Sequence, residues 1–139
     1  MRRPRPGLLT LTSALLLSAA SAESFAESAT CRVPAFRGAA SRLGADAEMF
    51  VVNTGKPCVI ANYGLPNERL NPASSGTITK QPTNGTATFD GHKAAYTPNT
   101  GYSGSDYFEY EATALGAAQN IITLRVRVKV TVRTEKAAA

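Results

Sequence analysis

Read for where its apolar residues fall, the chain alternates with a period of two and shows no convincing 3.6-residue helical period. The clearest case is residues 121–132. Leu124, Val126, Val128, Val130 and Val132 fall on one side, and Arg125, Arg127, Lys129, Thr131 and Arg133 on the other. Such alternation predicts a long strand with one buried and one wet face. Residues 107–113 repeat it, with Phe108, Tyr110 and Ala112 inward and Tyr107, Glu109 and Glu111 outward. Two shorter apolar runs, 47–53 and 57–62, flank Thr54-Gly55-Lys56 and predict a hairpin. Residues 86–89 and 92–96 flank Asp90-Gly91, a pair suited to a type I′ turn. Closing there pairs Phe89 with His92 and Ala87 with Ala94. Ala87, Phe89, His92, Ala94 and Tyr96 then share a face, and Thr86, Thr88, Lys93 and Ala95 the other.

The remaining segments read as punctuation. Residues 30–36 predict a first strand, confined to an edge or bulge by Pro34. Residues 37–46 read as a connection, and residues 63–75, with two prolines and no strand pattern, as a long loop of the kind that often carries function. Residues 97–106 form a turn-rich corner, and 114–120 a further connection. About seven short strands separated by turn signals predict an all-β sandwich, with an up-and-down barrel as the alternative.

The N-terminus changes how charge is read. Arg2, Arg3 and Arg5 precede an apolar run at residues 8–17 and the small residues Ala20-Ser21-Ala22, the pattern of a secretory signal ending at Ala22. The apolar run is too short to span a bilayer, which needs about 20 residues. The whole chain has 15 basic and 10 acidic residues, a net +5; without the three signal arginines it has 12 and 10, a net +2. The mature surface is therefore near balance and is no general trap for nucleic acid. The expected organisation is a signal at 1–22, a flexible lead at 23–30, one domain at 31–133 and a frayed tail at 134–139. The protein is expected in the periplasm or outside the cell.

Cys31 and Cys58 are the only cysteines. In an exported chain they are expected to form one disulfide. Ser28-Ala29-Thr30 is no lipobox for a lipid anchor at Cys31, and two cysteines with a single histidine fall short of a four-ligand zinc site.

Residues 76–113 carry an ordered skeleton: Pro82, Asn84-Gly85, Gly91, Tyr96-Thr97-Pro98, Gly101-Tyr102, Gly104, Asp106, Phe108 and Tyr110. This stretch resembles the cadherin-like, immunoglobulin-like repeat of bacterial surface and secreted proteins, and the valine-rich strand at 121–132 is similar to the way that repeat closes. The resemblance covers roughly half of the mature chain. It implies an immunoglobulin-like sandwich with a role in adhesion or assembly, and no chemistry. Where such repeats bind calcium, the resemblance implies Asp- and Asn-rich linkers between domains, and no such linker is read in this chain. Read physically, Asp106 should cap turn amides at the corner, Phe108 and Tyr110 should fill the core, and a tyrosine at the corner should anchor it through its hydroxyl.

Candidate chemistry is sparse. His92, the only histidine, is placed beside a tight turn near Asp90, which suits a surface pair better than a catalytic dyad. Glu109 and Glu111 share a wet strand face, where carboxylates are usually solvated rather than set across a cleft. No catalytic, metal or cofactor residues are assigned. The stripe Arg125, Arg127, Lys129 and Arg133 is the candidate partner-binding strip, for an acidic polysaccharide, a phosphate-bearing lipid or an acidic protein. Against this, the stripe is read as a solvated face that discourages edge aggregation and pairs with Glu109 and Glu111. The expected function is a non-enzymatic envelope or extracellular module that binds a protein or polysaccharide, not a membrane-spanning protein. The alternatives are a purely structural envelope protein or a small secreted hydrolase.

Overall fold

The computed structural model describes residues 29–135, together with Pro4 and Gly7. The predicted signal, the lead as far as residue 28 and residues 136–139 lie outside those described. Eight strands and no helix occur among the described residues: β1 (Cys31–Arg32), β2 (Ala45–Asn53), β3 (Cys58–Ala61), β4 (Ser75–Lys80), β5 (Gly85–Asp90), β6 (Lys93–Pro98), β7 (Gly104–Leu115) and β8 (Ile121–Thr134).

The two longest strands form where the alternation is strongest. β7 and β8 pair antiparallel, with Phe108 opposite Val128 and Tyr110 opposite Val126 facing inward. Glu111 opposite Arg125 and Glu109 opposite Arg127 face outward. β2 joins the other side of β8 in parallel, and the larger sheet runs β1-β2-β8-β7-β4. The smaller sheet runs β3-β6-β5. The inner faces of both contribute to one core, in which Tyr96, Phe108, Tyr110, Met49 and a row of valines are fully buried. Two sheets packed face to face, with an early strand parallel to the last one, make an immunoglobulin-like β-sandwich. Cys31 and Cys58 form a disulfide that ties β1 of the larger sheet to β3 of the smaller one.

Several local expectations are corrected. The runs at 47–53 and 57–62 are not a hairpin: β2 lies in one sheet and β3 in the other. Residues 54–57 cross between the sheets, with Gly55 at φ 79°. Met49, Val51, Cys58 and Ile60 are all buried, and facing each other across the core covers both runs at once. β2 also starts two residues earlier than expected, because Ala45 and Ala47 point inward while Asp46 and Glu48 point out. The first strand is only Cys31–Arg32. Pro34 has no N–H to donate, and the chain leaves the sheet before it. At the other end, Thr134 still belongs to β8.

The β5–β6 hairpin forms with a different register. Asp90 pairs with Lys93, Phe89 with Ala94 and Ala87 with Tyr96, so Gly91 and His92 are the two turn residues. Gly91 has φ 62° and His92 is not in the positive-φ region. Positive φ at the first central residue alone is the pattern of type II′, not type I′.

Polar hydrogen bonds fix the corner. Asp106 is buried, and its carboxylate accepts from the backbone N–H groups of Thr83, Asn84 and Tyr107 at 2.9–3.0 Å. It also accepts from the Tyr96 hydroxyl at 2.7 Å. Tyr102 donates its hydroxyl to the Ser105 carbonyl, locking the turn before β7.

Candidate binding surfaces

The basic strip lies on the outer face of β8, in the middle of the larger sheet. Its neighbours are acidic on both sides: Asp46 and Glu48 stand opposite Arg127 and Lys129 on β2, and Glu109 and Glu111 opposite Arg127 and Arg125 on β7. Arg127 donates from Nε to Asp46 Oδ1 at 2.7 Å and from Nη1 to the Leu43 carbonyl at 2.7 Å. That hydrogen bond holds the Asp46 carboxyl below the usual aspartate range. Arg125 Nε lies 3.4 Å from Glu111 Oε1. Tyr107, between β4 and β8, donates to Glu109 at 2.8 Å; partial burial and this bond push its hydroxyl up to about 12. Two of the four strip residues are thus engaged within the sheet. Lys129 and Arg133 have no carboxylate within 4 Å among the described residues. Arg133 borders a shallow recess shared with Phe50 and Arg32, whose guanidinium sits 4.3 Å above the Phe50 ring.

A second surface lies at the end of the sandwich where residues 62–74, the Gly91-His92 turn and residues 116–120 meet. The β3–β4 loop is pinned, although it has no regular structure. Tyr63 bridges to Pro72, Gly64 N–H donates to the Asn71 carbonyl, and Leu65 N–H donates to the Leu115 carbonyl at 2.9 Å. Asn71 Nδ2 donates to the carbonyls of Pro66 and Leu115. Glycine is required at position 64, because a Cβ there would collide with the Leu115 carbonyl oxygen. Below the loop, the Tyr110 hydroxyl donates to Asn62 Oδ1 at 2.7 Å, and Asn62 Nδ2 donates to the carbonyls of Ile60 and His92. The His92 ring packs on Tyr63 at 5.7 Å between centroids.

This scaffold presents apolar side chains to solvent. Leu65, Leu70, Leu115 and Ile121 are all exposed, Leu70 at 93 % and Ile121 at 76 %. Leu115 and Ile121 are directly opposite in the β7–β8 ladder, and Leu65 is bonded to Leu115. Four exposed aliphatic residues are therefore carried at one end of the sandwich. The exposed ends of these residues carry no period, so the alternation that locates strands gives no sign of them; only the loop was legible. Asp46 fell outside the expected strand at 47–53 because Ala45 is a weak strand signal; Glu48 lay within it, and its place beside Lys129 follows only from the parallel pairing with β8.

A groove of about 610 Å³ runs on from this end, between β3 and residues 33–41. Val33, Phe36, Val59, Tyr63 and Leu65 line it, and Ile60 and Leu124 are at its floor.

Among the described residues no three His, Cys, Asp or Glu side chains are close enough to hold a metal ion, and no helix is long and apolar enough to cross a membrane. His92 has Tyr63 as its ring neighbour, and Glu109 and Glu111 lie on the open face of the sheet. Neither a curated protein nor a solved structure matches the chain. A family model described as a bacterial Ig domain matches residues 45–127, which run from the first residue of β2 into β8. That span is more than half of the sequence and takes in six complete strands, and the chain belongs to the bacterial Ig domain family.

Proposed function

We propose that this chain is an exported, non-catalytic module that binds or assembles with a component of the bacterial envelope or its surroundings, and that the loop end makes the contact. Export is supported by the signal pattern at residues 1–22 and by the Cys31–Cys58 disulfide. The observation that carries the assignment of the contact is the exposure of Leu65 and Leu70 on the β3–β4 loop and of Leu115 and Ile121 at the strand ends to which that loop is hydrogen-bonded. A rigid, preformed surface loses little conformational entropy on binding. The apolar character favours a protein partner over a polysaccharide.

The test is cross-linking of the tagged mature protein in its native envelope. Leu70→Asp with Ile121→Asp changes only exposed side chains, so it is expected to leave the fold intact and to lower capture of the partner about tenfold or more, as loss of well-packed contacts does. Capture indifferent to that pair would sink the assignment. A second reading gives the contact to the two strip cations with no carboxylate within 4 Å among the described residues, Lys129 and Arg133, the latter beside Arg32. Charge reversal at Lys129 and Arg133 separates the two readings, since only the second expects it to abolish capture.

A further inference from the structure

Among the described residues β3 is an edge strand, bonded to β6 on one side only. Asn62 N–H donates to the His92 carbonyl at 2.8 Å, and Asn62 directly extends β3. Bonded pairs alternate along an antiparallel ladder, so Ile60 with Ala94 and Cys58 with Tyr96 also bond across to β6. The N–H and C=O groups of Val59 and Ala61 consequently point the other way, into the groove. No turn, loop or cap backbone group among the described residues meets them. In the four-stranded sheet of a constant-type immunoglobulin domain a further strand lies along this edge. Here residues 33–38 pass it as irregular chain, after β1 has joined the other sheet.

We propose that the groove accepts an extended peptide from a partner protein, which adds to β3 as a fourth strand of the smaller sheet. Val59 and Ala61 supply two donors and two acceptors, the main-chain element of strand addition. Specificity comes from the walls, where Val33 and Phe36 face Val59 and Leu65 and select apolar side chains at alternate positions. Among the described residues Arg37 is the only charged one lining the groove, and it selects a carboxylate on the incoming strand. β3 is four residues long, so the docked segment is short, about 13–17 Å of extended chain. The inference rests on the reading of the chain as a binding module, and it names how the partner is held.

The probe is a displayed library of random nonapeptides panned against the oxidised mature protein, followed by synthesis of the enriched peptide. That peptide is expected to be apolar at alternate positions with an acidic residue. N-methylation of the amides on its bonded edge should weaken binding about tenfold or more, and N-methylation on the other edge should not. Amide exchange at Val59 and Ala61 should slow on binding. Val59→Pro removes a groove-facing N–H without touching the β3–β6 ladder, a placement that edge strands tolerate, and should weaken binding similarly. Arg37→Glu should shift the enriched sequences from acidic to basic. Failure to enrich any peptide overturns the proposal, as does binding that leaves both amides unprotected. A concentration-dependent dimer abolished by Val59→Pro also overturns it, by assigning the edge to a second copy of this chain. Retention of native capture by Val59→Pro, together with its loss in Leu70→Asp/Ile121→Asp, would reject strand addition while leaving the loop contact standing.

Discussion

Asp106 shows how one side chain can hold a corner. Its two carboxylate oxygens accept four hydrogen bonds, from Thr83, Asn84, Tyr107 and Tyr96. Asp106→Asn turns one acceptor into a donor that faces donors. The expected cost is at least about 3 kcal/mol, read from the urea midpoint, because buried donors left without acceptors lose their full solvation. A loss under about 1 kcal/mol would mean that water replaces the carboxylate. The same site bears on alkaline stability. Burial, with the bond to Asp106, raises the Tyr96 hydroxyl; burial raises Tyr110; and Tyr107 is held at about 12, against the ordinary tyrosine value of 10.0. As pH rises above 10 the unfolded chain ionises phenols that the folded chain keeps neutral, so stability falls through that window and continues to fall past 12. Phenolate absorbance should develop for Tyr96 and Tyr110 only together with loss of strand circular dichroism. Full ionisation with the strands intact would contradict this. The role of Asp106 at the corner was legible in the sequence, because an aspartate among turn residues has few other uses; its bond to Tyr96 was not, since it joins two strands that only the fold brings together.

At the scale of elements, the sequence locates strands better than it locates their partners. β7 and β8 were legible to within a few residues because each has one wet and one buried face. The β5–β6 hairpin was legible as a hairpin but closes differently by two residues. A two-residue slip returns every side chain to its own face, so the hydrophobic pattern cannot detect it, whereas a one-residue slip would have been excluded. The β2–β3 connection failed for a related reason: alternation records which face is buried, not which sheet carries the strand. The disulfide was legible from compartment and count alone, and it proves to be a staple between sheets. It closes a loop with a sequence separation of 27, which the chain-entropy model values at about 3–4 kcal/mol. Reduction without other change is expected to lower unfolding free energy by about that amount, measured by denaturant titration with and without reductant. A change below about 1 kcal/mol would show that the core alone keeps β1 and β3 in place.

For the whole molecule, the distribution of charge and of exposed apolar residues separates the basic strip from the loop end, of which the sequence showed only the long loop. The strip of four cations is flanked on both sides by carboxylates, and two of its members, Arg125 and Arg127, are paired within their own sheet. The flanking Glu109 and Glu111 were foreseeable; Asp46 and Glu48 come from a strand paired in parallel across 81 positions of sequence, a relation no local pattern encodes. Arg125→Glu with Arg127→Glu is accordingly expected to leave partner capture unchanged, in contrast to the loop variants.

The parallel pairing of β2 with β8 also bears on when the fold can close. β8 follows the other seven strands in the chain, yet it lies between β2 and β7 at the centre of the larger sheet. β2 has only β1 and β7 only β4 beside it until β8 joins the two halves of the sheet, and contacts of such long range form slowly, typically in milliseconds to seconds. A chain whose keystone strand comes after the rest remains open, and can be threaded through a narrow channel, for as long as that strand is withheld.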